Sequence, residues 1–365
     1  MNDVDAGVMH GDSSAARDRV DLYDLTKPRS AAWLAASGLS PGLAPRVWKR
    51  LYRDLATDLA AIPDLPPHVR SFLADRARVG ALRAVRTAQA DDGATVKFLF
   101  ELPGGGRIET VLMRPARRAT VCLSTQVGCP LGCVFCATGQ AGFARNLTTG
   151  EIVAQAVAAA QAVRSTDGVE SANARLRNVV VMGMGEPLLN YDAVMNALEI
   201  LSDSGGLAVG VKQITLSTVG VVPGIERMTD EGRPYSLAVS LHAATQEERL
   251  RLVPASRTWP LDALIEACRK YAQRLRRHVF FEWTLIDGVN DAPEQAETLA
   301  RLLADVPSHV NLIPLNPTGG YDGAGAAASS AGAFQQVLRG RGIPSTVRRR
   351  RGIDIAAGCG QLATT

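Results

Sequence analysis

The sequence predicts an α/β fold: an incomplete (β/α)6, TIM-like barrel preceded by a small N-terminal helical domain and a β-hairpin. Three observations predict it. From Ala119 onward six apolar strand-like runs come with helical patterns between several of them, the order that builds parallel βαβ units. A closed eight-unit barrel takes about 250 residues, so six units in this shorter stretch fit an incomplete one. Ahead of the barrel, apolar residues recur every three or four positions and then give way to two strand-like runs around a glycine-rich turn. A doubly wound open sheet is the competing architecture.

Taken in order, residues 1–20 mix charged and small polar residues with no apolar core and read as a disordered tail, not a signal peptide. Residues 21–90 form the helical accessory domain: "SAAWLAASG" closes on a glycine, "PRVWKRLYRDLATDLAAI" carries an amphipathic repeat, and "PPHVRSFLADRARVGA" opens on paired prolines. In 91–115, "ATVKFLFEL" and "RIETVLM" flank "PGGG" as a hairpin bridging into the barrel. The barrel spans 116–350, with strands "ATVCLS", "RNVVVMG", "KQITLST", "YSLAVSL", "HVFFEWTLI" and "HVNLIPL" and helices such as "YDAVMNALEILSD", "LDALIEACRKYAQRLRR" and "PEQAETLARLLAD". "NPTGGYDGAGAAASSAGA" reads as a flexible loop before the last helix, and 351–365 is a C-terminal segment carrying Cys359.

With 365 residues and 46% apolar content the chain can bury a large core. No apolar run approaches the roughly 18 residues of a spanning helix, so no membrane role and a cytoplasmic location are expected. The net charge of +4 is mild, but "RPARRA" from Arg114, "RLRRH" from Arg274 and "RRRRG" from Arg348 are basic clusters that could meet a polyanion.

The cysteines decide the chemistry. "CLSTQVGCPLGCVFCATG" puts Cys122, Cys129, Cys133 and Cys136 within fifteen residues just after the first barrel strand. In a reducing compartment such clustering points to metal binding or catalysis, not a disulfide framework. Cys129, Cys133 and Cys136, spaced C-x3-C-x2-C with Phe135 between the last two, can hold three irons of a 4Fe–4S cluster and leave one iron open. That open iron can bind the amino and carboxylate groups of S-adenosylmethionine, whose reductive cleavage gives a 5′-deoxyadenosyl radical. The alternative is a structural zinc site with Cys122 as fourth ligand, although only Cys133 and Cys136 have the usual C-x2-C spacing.

In α/β barrels the active site lies at the C-terminal ends of the strands. Four runs deliver polar groups there: Gly183 to Glu186, Ser217 and Thr218, the Ser240–Leu241–His242 strand end, and Asn316. Gly185 and Glu186 suit the methionyl amino group, Ser217 the ribose or carboxylate, and Ser240, Leu241, His242 and Asn316 the remaining edges of the cofactor.

The cysteine stretch, "VVVMGMGEPLLN", "ITLSTVGVVP", "LAVSLHA", "NLIPLNP" and "RRGIDIAAGCGQL" occur in the order found in the RlmN/Cfr family of radical-SAM RNA methyltransferases, which this sequence resembles from about Leu22 to its C-terminus. The resemblance is closest to the RlmN branch and implies methylation of an adenine carbon, carbon 2, in 23S ribosomal RNA and for many members in transfer RNA. It implies that Cys359 carries the methyl group, that Cys122 resolves the protein–RNA adduct by forming a disulfide with Cys359, and that Glu109 is the proton acceptor. The chemistry fits this need, because carbon 2 of adenine is not a nucleophile and ordinary methyl transfer has no acceptor there. Cys268, on an amphipathic helical pattern, reads as a core residue.

The expected partners are RNA and an electron donor such as flavodoxin or ferredoxin, with the chain a monomer. Three other functions remain: a radical-SAM enzyme acting on a peptide or small molecule, a Cfr-like enzyme methylating carbon 8, and a non-catalytic zinc-dependent RNA-binding module. A generic radical enzyme needs only the three cluster cysteines, so Cys122, Cys359 and Glu109 speak against the first.

Overall fold

The structure, a computed structural model, describes residues 19–59, 62, 64–114, 118–166 and 175–363. The tail expected over 1–20 therefore falls outside the described residues apart from its last two, and Arg117 of the basic "RPARRA" run does so too.

The N-terminal part packs three helices: α1 (Lys27–Ala36), α2 (Ala44–Tyr52) and α3 (Pro67–Arg76). In α2 the buried residues Ala44, Val47, Trp48, Leu51 and Tyr52 recur every three or four positions and face the core, while Lys49 and Arg50 sit in the last turn, where cations favour the helix dipole.

A single ten-stranded sheet follows. Its strands are β1 (Arg83–Gln89), β2 (Thr95–Glu101), β3 (Arg107–Met113), β4 (Ala119–Cys122), β5 (Leu176–Val181), β6 (Ile214–Thr218), β7 (Ser236–Ser240), β8 (Val279–Leu285), β9 (Ser308–Pro314) and β10 (Ser345–Val347). They lie side by side in sequence order. β1 to β4 pair antiparallel and β4 to β10 parallel. A doubly wound sheet reverses its strand order at a switch point, and this one never does. With right-handed crossovers, unbroken order keeps the connecting helices on one face, as in a barrel. The sheet is open at β1 and β10.

Connecting helices include α4 (Thr149–Thr166), α5 (Tyr191–Ser202), α6 (Val222–Asp230), α7 (Leu261–Leu275), α8 (Pro293–Leu302) and α9 (Ala328–Gly340). α7 buries Leu261, Leu264, Ile265, Cys268, Tyr271 and Ala272 along one stripe, which makes Cys268 a core residue, and it stops at Arg276 in a left-handed conformation.

Three local expectations are corrected. Residues 83–89, read within the helical domain, are an edge strand paired with β2. Their Ala, Arg and Gln favour helix alone, but pairing to a neighbouring strand overrides weak propensity. The last six residues of the loop expected over 316–333 already belong to α9, where the Ala/Ser run forms helix readily. A seventh parallel strand, β10, escapes the pattern because it has only three residues.

Candidate active site

The cysteine loop leaves β4 through a two-stranded ribbon, Gln126–Gly128 against Phe143–Asn146. Gly128 must be glycine, since a Cβ there would lie 1.9 Å from the Gly142 carbonyl oxygen. The Cys129 N–H donates to that same carbonyl at 2.7 Å, and the Cys136 N–H turns back to the Cys133 carbonyl at 3.1 Å. Burial pushes the Cys129 thiol up to about 12, with Glu186 and Cys136 adding to it. Cys133 is raised as well, first by burial and then by the charges of Cys136 and Cys129. Negative charge gathered around Cys129 and Cys133 makes a site that calls for positive charge among the thiolates, which fits an iron–sulfur cluster. Cys122 stands apart from this group: burial raises its thiol to about 12, and its charged neighbour is Cys359. Among the described residues no three Cys, His, Asp or Glu side chains stand together as the ligand set of a single metal ion, so the zinc arrangement with Cys122 as fourth ligand has no support in the geometry.

Around this loop the strand ends supply polar groups. The Glu186 carboxylate is buried, accepting from the backbone N–H of Leu188 at 3.0 Å and of Val219 at 2.9 Å, and burial raises it to about 7. Both oxygens are thus engaged in tying the β5 and β6 loops together. Gly185 has φ +97°, and a Cβ would strike Gln126 Cβ at 2.5 Å. Ser217 and Ser240 are half-buried at the ends of β6 and β7. The Leu241 side chain is fully buried, so this residue can offer the site only its backbone.

His242 has φ 61°, an uncommon conformation for a side-chain-bearing residue. Its Nδ1 accepts the Thr284 N–H at 3.0 Å, which places the ring proton on Nε2. Its ring stands edge-on to Phe135 of the cysteine loop, centroids 4.7 Å apart. Burial, helped by the charge of Arg249, lowers its pKa to about 3, so the imidazole is a neutral donor at physiological pH. Asn316 donates from Nδ2 to the Cys359 carbonyl at 3.1 Å, while its buried Oδ1 has no partner among the described residues. That orphaned acceptor suits a cofactor amine or hydroxyl.

The C-terminal segment closes the site. The Leu362 carbonyl accepts from Thr138 Oγ1 at 2.6 Å, the Gly360 carbonyl from the Ala137 N–H at 2.8 Å, and Gln361 Nε2 donates to the Pro317 carbonyl at 2.9 Å. Cys359 is exposed, yet desolvation leads the causes that raise its thiol, followed by the Glu282 charge. The residue reaches solvent even so, and that exposure is what a reacting group needs. The charge of Cys359 is among the causes that raise the Cys122 thiol, after burial, which ties these two outer cysteines to one another. All six cysteines are free, so the disulfide expected between this pair is not formed in the structure.

Glu109, on β3, is buried and salt-bridged to Lys97 of β2 at 2.8 Å. Its other carboxylate oxygen accepts the Ala363 N–H at 3.0 Å, and Lys97 also donates to the Ala356 carbonyl at 3.2 Å. Lys97 therefore joins the expected proton acceptor to the segment bearing Cys359. Sequence reasoning missed it, and its one signal was a lysine inside the otherwise apolar run "TVKFLF". Arg249, which bonds the Val219 carbonyl after β6 and the Ser240 and Leu241 carbonyls at the end of β7, was also missed.

An iron–sulfur-type cysteine loop at the mouth of an open parallel barrel defines the radical SAM class, and the Radical SAM superfamily model matches residues 123–303. Such enzymes use a 4Fe–4S cluster and S-adenosylmethionine, and so does this one. The Myxococcus xanthus protein named "Dual-specificity RNA methyltransferase RlmN 1" is 52% identical, the alignment covering 98% of this chain and 96% of that one. An Opitutus terrae protein named "Probable dual-specificity RNA methyltransferase RlmN 2" is 53% identical over 94% of this chain and 86% of its own length. The crystal structure of a radical SAM methyltransferase from Sphaerobacter thermophilus superposes with a TM-score of 0.89 at 48% identity, covering 94% and 99% of the two chains. The chain belongs to the RlmN family of radical SAM methyltransferases.

Proposed function

We propose that this protein methylates carbon 2 of an adenine in 23S ribosomal RNA and in transfer RNA, by way of a methyl group carried on Cys359. The observation that carries the reading is the placement of Cys359: an exposed thiol on a segment bonded to the cysteine loop at Ala137 and Thr138 and to Glu109 through Ala363.

Cys129, Cys133 and Cys136 would hold the cluster, with Gly185, Glu186, Ser217, Ser240, Leu241, His242 and Asn316 around S-adenosylmethionine. When bound, these cofactors supply the methyl group and a one-electron means of activating it. Cys359 takes up the methyl as a thioether. Glu109, between Lys97 and the Ala363 N–H, is the proton acceptor. Cys122 resolves the protein–RNA adduct: its thiolate forms an S–S bond to Cys359, the Cys359 S–C bond breaks with its electron pair going to carbon, and a proton completes the new methyl. The disulfide is a transient of turnover: an external dithiol reductant, itself oxidised to a disulfide, returns two electrons and two protons and restores both thiols.

The helical domain and the basic runs at Arg274 and Arg348 hold the RNA, and the target base is extruded into the barrel mouth. A flavodoxin or ferredoxin supplies electrons to the monomer in the cytoplasm; among the described residues no helix is long and apolar enough to cross a membrane. Mass spectrometry of RNA nucleosides from cells with and without the gene tests the proposal. Loss of 2-methyladenosine is expected. Loss of 8-methyladenosine instead would make the protein Cfr-like, and unchanged RNA would favour a peptide or small-molecule substrate.

A further inference from the structure

Among the described residues Arg249 is the only arginine or lysine that is buried, at 1% exposure. It lies on the short helix Gln246–Leu252 that follows β7. Its Nε donates to the Leu241 carbonyl at 3.1 Å, and its Nη2 to the carbonyls of Val219 and, at 3.3 Å, Ser240. Among the described residues the groups that favour its charged form are two thiols, Cys133 and Cys268, with no carboxylate. A buried cation without a counter-charge is costly, and three carbonyl dipoles offset that only in part. The same helix docks on the cysteine loop. The Val134 N–H donates to the Leu252 carbonyl at 3.1 Å, and Leu252 and Val253 pack with Phe135 beside Cys133 and Cys136.

We propose that Arg249 is the internal counter-cation of the iron–sulfur cluster, a positioning residue that sets how readily the cluster accepts its electron. This rests on the reading that Cys129, Cys133 and Cys136 hold the cluster. Three thiolates then give the guanidinium the partner it lacks in the chain alone. Reduction takes one electron from the donor and adds one negative charge to the cluster, and a fixed buried positive charge favours the more negative state. The arginine fork keeps that charge in place through its bonds to the ends of β6 and β7.

The test is an anaerobic redox titration of the reconstituted protein with dithionite, followed by the electron paramagnetic resonance of the reduced cluster. R249Q should shift the reduction equilibrium at least tenfold toward the oxidised form, about 59 mV for a one-electron couple, and R249K should restore most of it. C268D leaves the three carbonyl bonds in place and sets a carboxylate near the guanidinium; it should lower the potential in the same direction, and it decides the matter if R249Q does not fold. Unchanged midpoints in folded R249Q and C268D overturn the proposal. So does a drop in R249K as large as in R249Q, which would assign the effect to the bonds and not the charge. Wild-type protein that takes up no iron and acid-labile sulfide would refute the cluster reading itself, a distinct failure.

Discussion

Acid should unfold this protein partly through His242, and the size of the effect follows from its surroundings. The ring is 5% exposed, its Nδ1 is occupied by the Thr284 N–H, and burial with the nearby Arg249 charge lowers its pKa from 6.5 to about 3. A histidine with a depressed folded-state pKa contributes stability above its unfolded value, and that stability is lost as pH falls from 6.5 toward 3. At pH 5 the unfolded chain has bound this proton and the folded chain has not. The gap of 1.5 pH units below 6.5, at about 1.4 kcal/mol per unit, costs the wild type about 2 kcal/mol relative to pH 7. His242→Asn cannot titrate, and asparagine tolerates the left-handed backbone at this position better than most residues. Urea unfolding of the cluster-free wild type and variant at pH 7 and pH 5 makes the comparison. The variant is less stable at both pH values, but its loss between them should be smaller by about 2 kcal/mol. Equal losses in the two proteins would refute the neutral, buried imidazole and with it the assignment of its proton to Nε2.

The two outer cysteines should fail in opposite ways: Cys359→Ala should keep the cluster and some cleavage of S-adenosylmethionine while transferring no methyl to RNA. Cys122→Ala should stall after addition and show protein covalently attached to RNA on denaturing gels; normal turnover without adduct would remove Cys122 from the mechanism. Lys97→Met leaves the buried Glu109 carboxylate without its ion-pair partner, which should cost about 3 kcal/mol in urea unfolding and abolish methylation. A loss under about 1 kcal/mol would mean the pair behaves as a surface one. Replacing Arg348, Arg349 and Arg351 by Gln should flatten the plot of log RNA affinity against log salt, whereas Arg350, bonded to the Leu315 carbonyl at 2.9 Å, is left alone because it also holds structure.

The sequence by itself determined the parallel alternation, because each barrel strand is a local apolar run and each connecting helix a local three-to-four-residue repeat. It also determined the chemistry available, since the spacing of Cys129, Cys133 and Cys136 is a property of one short loop. Short or exposed elements were not legible: residues 83–89 become a strand only against β2, and β10 is three residues long. Only the tertiary structure decided which groups meet. Lys97 reaches Glu109 across neighbouring strands, and the last residues of the chain return to the cysteine loop some 220 positions away. Arg249 lies in an unremarkable amphipathic helix by pattern, yet the fold encloses it beside the cluster loop. Local pattern records which side of an element is apolar, whereas a partner distant in the chain is chosen by packing, and packing also sets the burial that makes one histidine neutral and one arginine an unpaired charge.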